Sequence, residues 1–352
     1  LDKGWKVFIL TADDEHSRYL QSIGVELLVA RFDRGGFSIL NDILVFWRLF
    51  TAYLRHKPDL IHHFHAKPVI MGSIAARLAC GWKTRVVNSI TGLGHAFISG
   101  GWVKRLAGFG YKLALGISDA VIFQNYDDKK LFIDNNWVNK KNSHLIVSSG
   151  VDVDKFSFVP FDSRQRKDEG LQVLMVGRLL GQKGVVEYIE AAKMLKGSYP
   201  NVSFEIAGEY DLVHPDGISE DVIQAAVDAG TVKYLGYVSN LPEILKDIDV
   251  FVLPSYREGV PRSVLEASSN GIPCIGADVP GTREAIIDGK TGFLVEVRNV
   301  VALANAIEIL LASSSMREVM GNEARNMVVS QFELGVITGK QVDVYQKVGV
   351  LF

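Results

Sequence analysis

The sequence predicts an α/β protein made of two doubly wound parallel sheets, and three observations predict it. Short apolar runs recur along the chain, most of them followed by a turn and a stretch of helical spacing, the pattern of successive βαβ units. A length of 352 residues suffices for two domains, each with a core of its own. Between the halves lies a polar, charged stretch without periodicity, residues 160–170, which reads as a linker. The halves repeat an architecture and not a sequence.

Residues 6–11 (KVFILT) form the first strand and 25–29 (VELLV) the second, and 38–56 is an amphipathic helix with an aromatic face. Residues 59–64 (DLIHHF) form a strand ending at His65, Ala66, Lys67 and Pro68, with a helix over 69–79. The next strand, 84–90, ends at Thr91, Gly92, Leu93, Gly94 and His95; 120–125 and 143–147 are the last strands of this half. Ligands of a doubly wound sheet bind beyond the carboxyl ends of its strands. That placement makes His65, Lys67, Thr91, Gly92 and His95 candidates for a site. His65 and His95 also read as ordinary loop histidines, and His62 and His63 as one core and one surface side chain. Residues 98–117 interleave Trp102, Leu106 and Phe109 with Lys104, Arg105 and Lys112. The pattern fits a helix lying on an anionic membrane surface. It equally fits a helix packed on the sheet and weakened by Gly100, Gly101, Gly108 and Gly110.

The second half opens with a strand over 171–176, a helix over 185–195, a strand over 202–207 and a turn at 208–211. A helix over 220–229 and a strand over 232–235 follow. Residues 249–253 (DVFVL) are then a buried strand, Glu258 to Pro261 a Gly/Pro turn, and a helix runs from Pro261 to a stop at Asn270-Gly271. Strand, glycine turn and helix N-terminus together present free N–H groups and a positive dipole end, which suits an anion. Short strands over 273–276 and 292–295, helices near 300–312 and 315–329, and a weakly helical tail over 333–352 complete the chain.

Glu258 and Glu266 read either as a helix-terminal charge and a solvated surface residue, or as ligand-holding groups. Eight helical steps of roughly 1.5 Å put them ~12 Å apart, too far for the roughly 5–9.5 Å of a glycoside hydrolase pair. Two carboxylates gripping hydroxyls at two ends of an elongated ligand fit better.

Apolar content of 48% and charged content of 22% are those of a globular chain. No uncharged apolar run reaches membrane-spanning length, since 39–54 contains Asn41, Asp42 and Arg48. Cys80 and Cys274 lack a CxxC or His/Cys cluster and read as buried thiols of a reducing cytoplasm. Residues 1–160 carry 20 Lys and Arg against 14 Asp and Glu, the remainder 18 against 26. The basic first half suggests an anionic surface or substrate, but without a basic-aromatic reader nucleic acid is not an expected partner. Asp152-x-Asp154 and Asp247-x-Asp249 lie in a turn motif and before a strand, so no metal and no cofactor is expected.

Glu258-x7-Glu266 in REGVPRSVLEASSNGIPCI (257–275) resembles the donor signature of the retaining glycosyltransferases of family four, which have the GT-B fold. MVGRLLGQKGV (175–185) is similar to that family's Arg…Lys-Gly phosphate motif, and VSSGVDVDKF (147–156) to its Asn-Gly-Val-Asp segment. VKYLGYVSNLPEIL (232–245) and VPGTREAIIDGKTGFLV (279–295) resemble the segments beside the nucleobase and closing the donor pocket. The resemblance implies two Rossmann-like domains facing a cleft: 1–160 on the acceptor side, 161–332 for the donor, and 333–352 crossing back to the first. It also implies that the chain starts one βα unit into the first domain, with residues 1–4 as the tail of the preceding helix.

Carried onto this sequence, the resemblance assigns Glu258 to the sugar hydroxyls and Glu266 to the ribose. Arg178 and Lys183 would neutralise the departing diphosphate. Backbone around Gly259, Val260, Pro261 and Arg262, and around Gly281 and Thr282, would supplement them. Tyr237 and Val238 would lie beside the base, though Tyr237 fits core packing equally well. Many members place a sugar-contacting His-Gly pair where Thr91-Gly92 stands here, leaving His95 as the available substitute. The implied activity is retaining, metal-independent transfer of a hexose or N-acetylhexosamine from a nucleotide sugar, UDP favoured. The implied acceptor is a glycan or polyprenyl-diphosphate-linked saccharide at the inner membrane face. A nucleotide-sugar epimerase would need acid/base carboxylates in both domains, and a dehydrogenase a GxGxxG that is not visible. A non-catalytic sugar-nucleotide binder is the non-enzyme alternative.

Overall fold

The structure, a computed structural model, describes residues 4–11, 15–29, 39–93, 101–161 and 170–350, with backbone alone for 15–16, 39–41 and 101–104. The strands are β1 (Phe8–Thr11), β2 (Glu26–Val29), β3 (Leu60–Phe64), β4 (Arg85–Ile90), β5 (Ala120–Phe123), β6 (Ser143–Leu145), β7 (Gln172–Val176), β8 (Ser203–Ala207), β9 (Lys233–Gly236), β10 (Val250–Leu253), β11 (Cys274–Ala277) and β12 (Gly292–Val295). The chain divides into two compact units. One comprises Leu1–Phe123, Lys129–His144 and Val342–Phe352; the other comprises Gln124–Asp128 and Leu145–Gln341.

In the second unit the strands lie in the order β12-β11-β10-β7-β8-β9, all neighbours parallel. Counted from β7 this is the doubly wound order in which the winding reverses between β7 and β10. β8, β10 and β11 are buried at every position, which is why they read as apolar or small-residue runs without alternation. The helix Arg262–Ser269 is buried at every residue from Val264 onward, because it is wedged between the sheet and the helix Ser314–Gln331. Gly321 permits that approach: a Cβ there would lie 2.1 Å from the Gly271 carbonyl oxygen. The segment after β6 belongs to this unit because Val151 donates to the Phe332 carbonyl (2.8 Å) and accepts from Leu334 N–H (3.0 Å). Of the expected linker, residues 162–169 lie outside the described residues.

The first unit holds a four-stranded sheet, β3-β4-β5-β6, and a separate parallel pair, β1-β2. Both β3 histidines are bound into it. His63 joins Tyr53 Oη (2.8 Å) and Asn88 Oδ1 (2.9 Å). His62 joins Tyr345 Oη (2.6 Å) and Ser89 Oγ (2.7 Å). Burial pushes the pKa values of His62 and His63 down to about 3 and about 4, so both rings are neutral structural groups. Residues 98–100 lie outside the described residues, but Gly101–Gly116 is a regular helix despite its glycines. Gly108 makes room for the Trp137 ring, 2.4 Å from where its Cβ would stand, and Gly110 for Ile70 at 3.1 Å. The tail is likewise a regular helix, Leu334–Lys347, although it contains Gly335 and Gly339.

Candidate functional site

The carboxyl ends of β7, β10 and β11 in the second unit carry three turns, and glycines without side chains lock them together. Gly184, at φ 77°, ends the turn after β7, and a Cβ there would lie 2.4 Å from the Pro254 carbonyl oxygen. Gly281, at φ 89°, sits in the turn after β11, where a Cβ would lie 2.4 and 2.5 Å from the carbonyl oxygens of Gly259 and Glu258. Both positions need a residue with no side chain and a left-handed backbone. Backbone bonds add to the lock: Tyr256 N–H donates to Gln182 O (2.8 Å) and Glu258 N–H to Pro280 O (3.2 Å).

Within this frame Lys183 Nζ donates to Glu258 Oε1 at 2.5 Å, with the side chains 23% and 12% exposed. Two expected site residues thus form a mostly desolvated ion pair at the switch point. Arg178 is turned elsewhere in the same unit. It donates to Asp211 Oδ2 at 3.0 Å, on the turn after β8, and is 58% exposed. The N–H groups of Gly181 and Gln182 are taken by the Asp216 carbonyl (2.8 Å) and carboxylate (2.6 Å), so they are not open to an anion.

Beyond Glu258 the chain enters the helix Arg262–Ser269. Pro261 is its N-cap and not its first helical residue, since its ψ of 112° is extended, and no side chain caps the helix. The first-turn N–H groups therefore lack intrahelical acceptors, and the dipole end is positive. Val260 is buried in the core. Glu266 is only 9% exposed, which removes the solvated-surface reading. Burial raises its pKa against the opposing pull of Arg262, whose Nη2 lies 3.2 Å away. Thr282 is buried, and its hydroxyl has no protein partner. Tyr237 is 64% exposed, which removes its core-packing reading, while Val238 packs partly on the core.

In the first unit, Thr91 Oγ1 and His65 Nδ1 lie 3.2 Å apart, at the ends of β4 and β3. His65 has φ 68° and Gly92 φ 140°, and Lys67 Nζ donates to Asp42 at 2.9 Å. His95 lies outside the described residues. Among the described residues no three His, Cys, Asp or Glu side chains gather as metal ligands. Asp152 accepts from the N–H groups of Asp154 and Lys155, and Asp249 from that of Gln172.

The sequence reading missed Asp211 and Asp216, which pin the turn after β7. It also missed Asn125 and Asp128, which grip the Glu258 turn. Asn125-x-x-Asp128 does carry a local signal, a helix N-cap: Asn125 Oδ1 accepts Asp128 N–H at 2.7 Å.

Two doubly wound α/β units of this kind are those of the GT-B fold, the architecture of many glycosyltransferases. A model of "Glycosyl transferases group 1" matches residues 160–327 and one of "Glycosyl transferase 4-like" residues 1–125. The chain belongs to these glycosyltransferases. A Campylobacter jejuni relative, N,N'-diacetylbacillosaminyl-diphospho-undecaprenol alpha-1,3-N-acetylgalactosaminyltransferase, is 28% identical over 99% of this chain and 92% of its own. An Escherichia coli relative, UDP-Gal:alpha-D-GlcNAc-diphosphoundecaprenol alpha-1,3-galactosyltransferase, is 29% identical over 88% of this chain and 80% of its own. In fold, the chain superimposes on Anabaena HepE in complex with UDP and glucose with a TM-score of 0.78 at 19% identity, covering 96% and 91% of the two chains. It superimposes on the Thermosynechococcus elongatus sucrose-phosphate synthase with a TM-score of 0.79 at 20% identity, covering 98% and 90%.

Proposed function

We propose that this glycosyltransferase moves galactose or an N-acetylhexosamine from a UDP-sugar to a saccharide carried on a polyprenyl diphosphate, with retention and without a metal. The observation that carries the reading is the Lys183–Glu258 pair beside an uncapped helix N-terminus. Cleavage of the sugar–phosphate bond puts negative charge on the departing diphosphate. A desolvated ammonium and the open N–H groups of the Arg262–Ser269 helix are fixed positive groups for that charge. Glu258, already bonded to Lys183, offers its second oxygen to sugar hydroxyls, and buried Glu266 offers its carboxylate to the ribose. Arg178 joins the diphosphate by exchanging Asp211 for phosphate oxygens, a small cost for an exposed pair. The acceptor hydroxyl passes its proton to the leaving phosphate, while His65 and Thr91 serve the acceptor side. The names of the Campylobacter and Escherichia relatives support the lipid-linked acceptor.

The helix Gly101–Gly116 supports work at the inner membrane face. Arg105, Leu106, Phe109, Lys112 and Leu113 are all exposed on one side of it, and anionic lipid would meet both its charge and its apolar face. The test incubates the protein with UDP-galactose or UDP-N-acetylgalactosamine and a synthetic polyprenyl-diphosphate-N-acetylglucosamine, with chelator present. A disaccharide-lipid with the donor's anomeric configuration is expected. Absence of transfer despite UDP binding would overturn the reading.

A further inference from the structure

Glu258 is flanked by two residues held by the same buried pair of side chains. Arg257, just before it, forms an ion pair with Asp128, whose side chain is wholly shut off from solvent. Gly259, just after it, gives its carbonyl to Asn125 Nδ2 at 3.1 Å. Asn125 and Asp128 are themselves interlocked: Asn125 Nδ2 donates to Asp128 Oδ2 at 3.0 Å, and Asn125 Oδ1 accepts Asp128 N–H at 2.7 Å. Glu284 extends the same fastening by accepting the N–H groups of Tyr126 (3.2 Å) and Gly281 (2.8 Å). The segment Gln124–Asp128 groups with the second unit through such contacts.

We infer that Asn125, Asp128 and Arg257 are positioning residues that set the Glu258 carboxylate for the donor's sugar, acting through the backbone on either side of it. The inference rests on the donor-site reading of Glu258. Stability alone is a poor account of the arrangement. Taking a carboxylate and a guanidinium out of water offsets most of their attraction, and Arg257 Nε stays buried with no acceptor. An apolar pair would hold the fold as well, but would not fix the turn from both sides. The trio acts through Glu258 and not on the sugar itself. Its expected signature is a loss confined to sugar recognition and turnover.

The experiment compares Asp128→Asn, Asn125→Ala, Arg257→Lys, Glu258→Gln and the double variant Glu258→Gln/Asp128→Asn. It measures kcat and KM with UDP-N-acetylgalactosamine, and binding of UDP alone by calorimetry. Misplacing a positioned group by an ångström can cost about 100-fold, so Asp128→Asn is expected to lower kcat/KM by up to about that factor while UDP binds as before. Arg257→Lys is expected to keep part of the activity. The double variant is expected to be no worse than Glu258→Gln alone, because both changes act through one carboxylate. Multiplying losses, wild-type turnover in Asp128→Asn, or equal loss of UDP binding would overturn the positioning role while leaving the donor site in place. If Asp128→Asn does not fold, Asn125→Ala and Arg257→Lys decide by the same criteria. Wild-type turnover in Glu258→Gln would instead remove the donor-site reading, and the positioning role with it.

Discussion

Replacing Lys183 with Met keeps the aliphatic stem and removes the charge, so it isolates what the ammonium does. In the structure that ammonium sits 2.5 Å from Glu258 in surroundings that leave the two side chains 23% and 12% exposed. The effective dielectric there lies well below that of water. At an effective value of about 20, one unit of charge about 4 Å from another is worth about 4 kcal/mol before desolvation is counted. Removing one preorganised donor from a developing oxyanion costs about 2.7–4 kcal/mol, or about 10²–10³ in kcat; that is the loss expected for Lys183→Met at saturating donor. Stability should suffer less than the about 3–5 kcal/mol of a fully buried broken pair, because Glu258 retains a path to solvent. Lys183→Arg, which keeps the charge with a different reach, should recover part of the rate. Radiolabelled sugar transfer to the lipid acceptor measures kcat, and a thermal melt measures folding. Transfer by Lys183→Met at the wild-type rate, with the fold intact, would refute the role given to the pair.

Three further outcomes follow from the geometry. Gly281→Ala forces a side chain onto the carbonyls of Glu258 and Gly259 at φ 89°; a loss of about 1–3 kcal/mol and a displaced Glu258 are expected, read by melting temperature and kcat together. Glu266→Gln removes a buried charge whose native pKa is raised by burial. The cost of the charge is absent below the unfolded carboxylate value and grows as pH rises from there to the native pKa, so the variant should melt higher than wild type at pH 8 and lose the advantage in acid. Its nucleotide affinity should fall about 10- to 100-fold, the value of charge-assisted hydrogen bonds, as measured by calorimetry. His62 and His63 have native pKa values of about 3 and about 4, below the about 6.5 of an unfolded chain. Their contribution is whole above that unfolded value and is lost as pH falls through it, at about 2 kcal/mol each by pH 5; denaturant titrations at pH 7 and pH 5, repeated on His62→Gln/His63→Gln, should show the slope flatten.

Much of this was legible from residues alone, for reasons that also mark the limit. The runs at β7, β10 and β11 were readable because both faces of a parallel strand are buried. Gly259 and Pro261 have the ordinary composition of a turn, and Gly281, at φ 89°, marks one whose backbone favours glycine. Glu266 was harder. Apolar periodicity gives Arg262–Ser269 one buried face, but a small-residue crossing at Gly321 and Gly271 buries the other, and that crossing is tertiary. The glycines of Gly101–Gly116 misled in the opposite direction. Propensity counts them as weakening, whereas Gly108 and Gly110 are where Trp137 and Ile70 need space.

What joins the pieces is strand order, which no local pattern encodes. Lys183 and Glu258 are 75 residues apart in sequence. They meet because β7 and β10 are neighbours across the point where the winding of the sheet reverses. Had the strands lain in sequence order, β8 and β9 would separate the two turns, and neither the ion pair nor the bonds from Tyr256 to Gln182 could form. The same topology sends Arg178 to Asp211, since β8 flanks β7 on its other side. The two cations of one motif thus face opposite neighbours. On the proposed donor-site reading, Lys183 would meet the sugar-phosphate junction where the fold already holds it, whereas Arg178 would reach the diphosphate only by giving up a carboxylate, so Arg178 should be the more salt-sensitive of the two in donor binding.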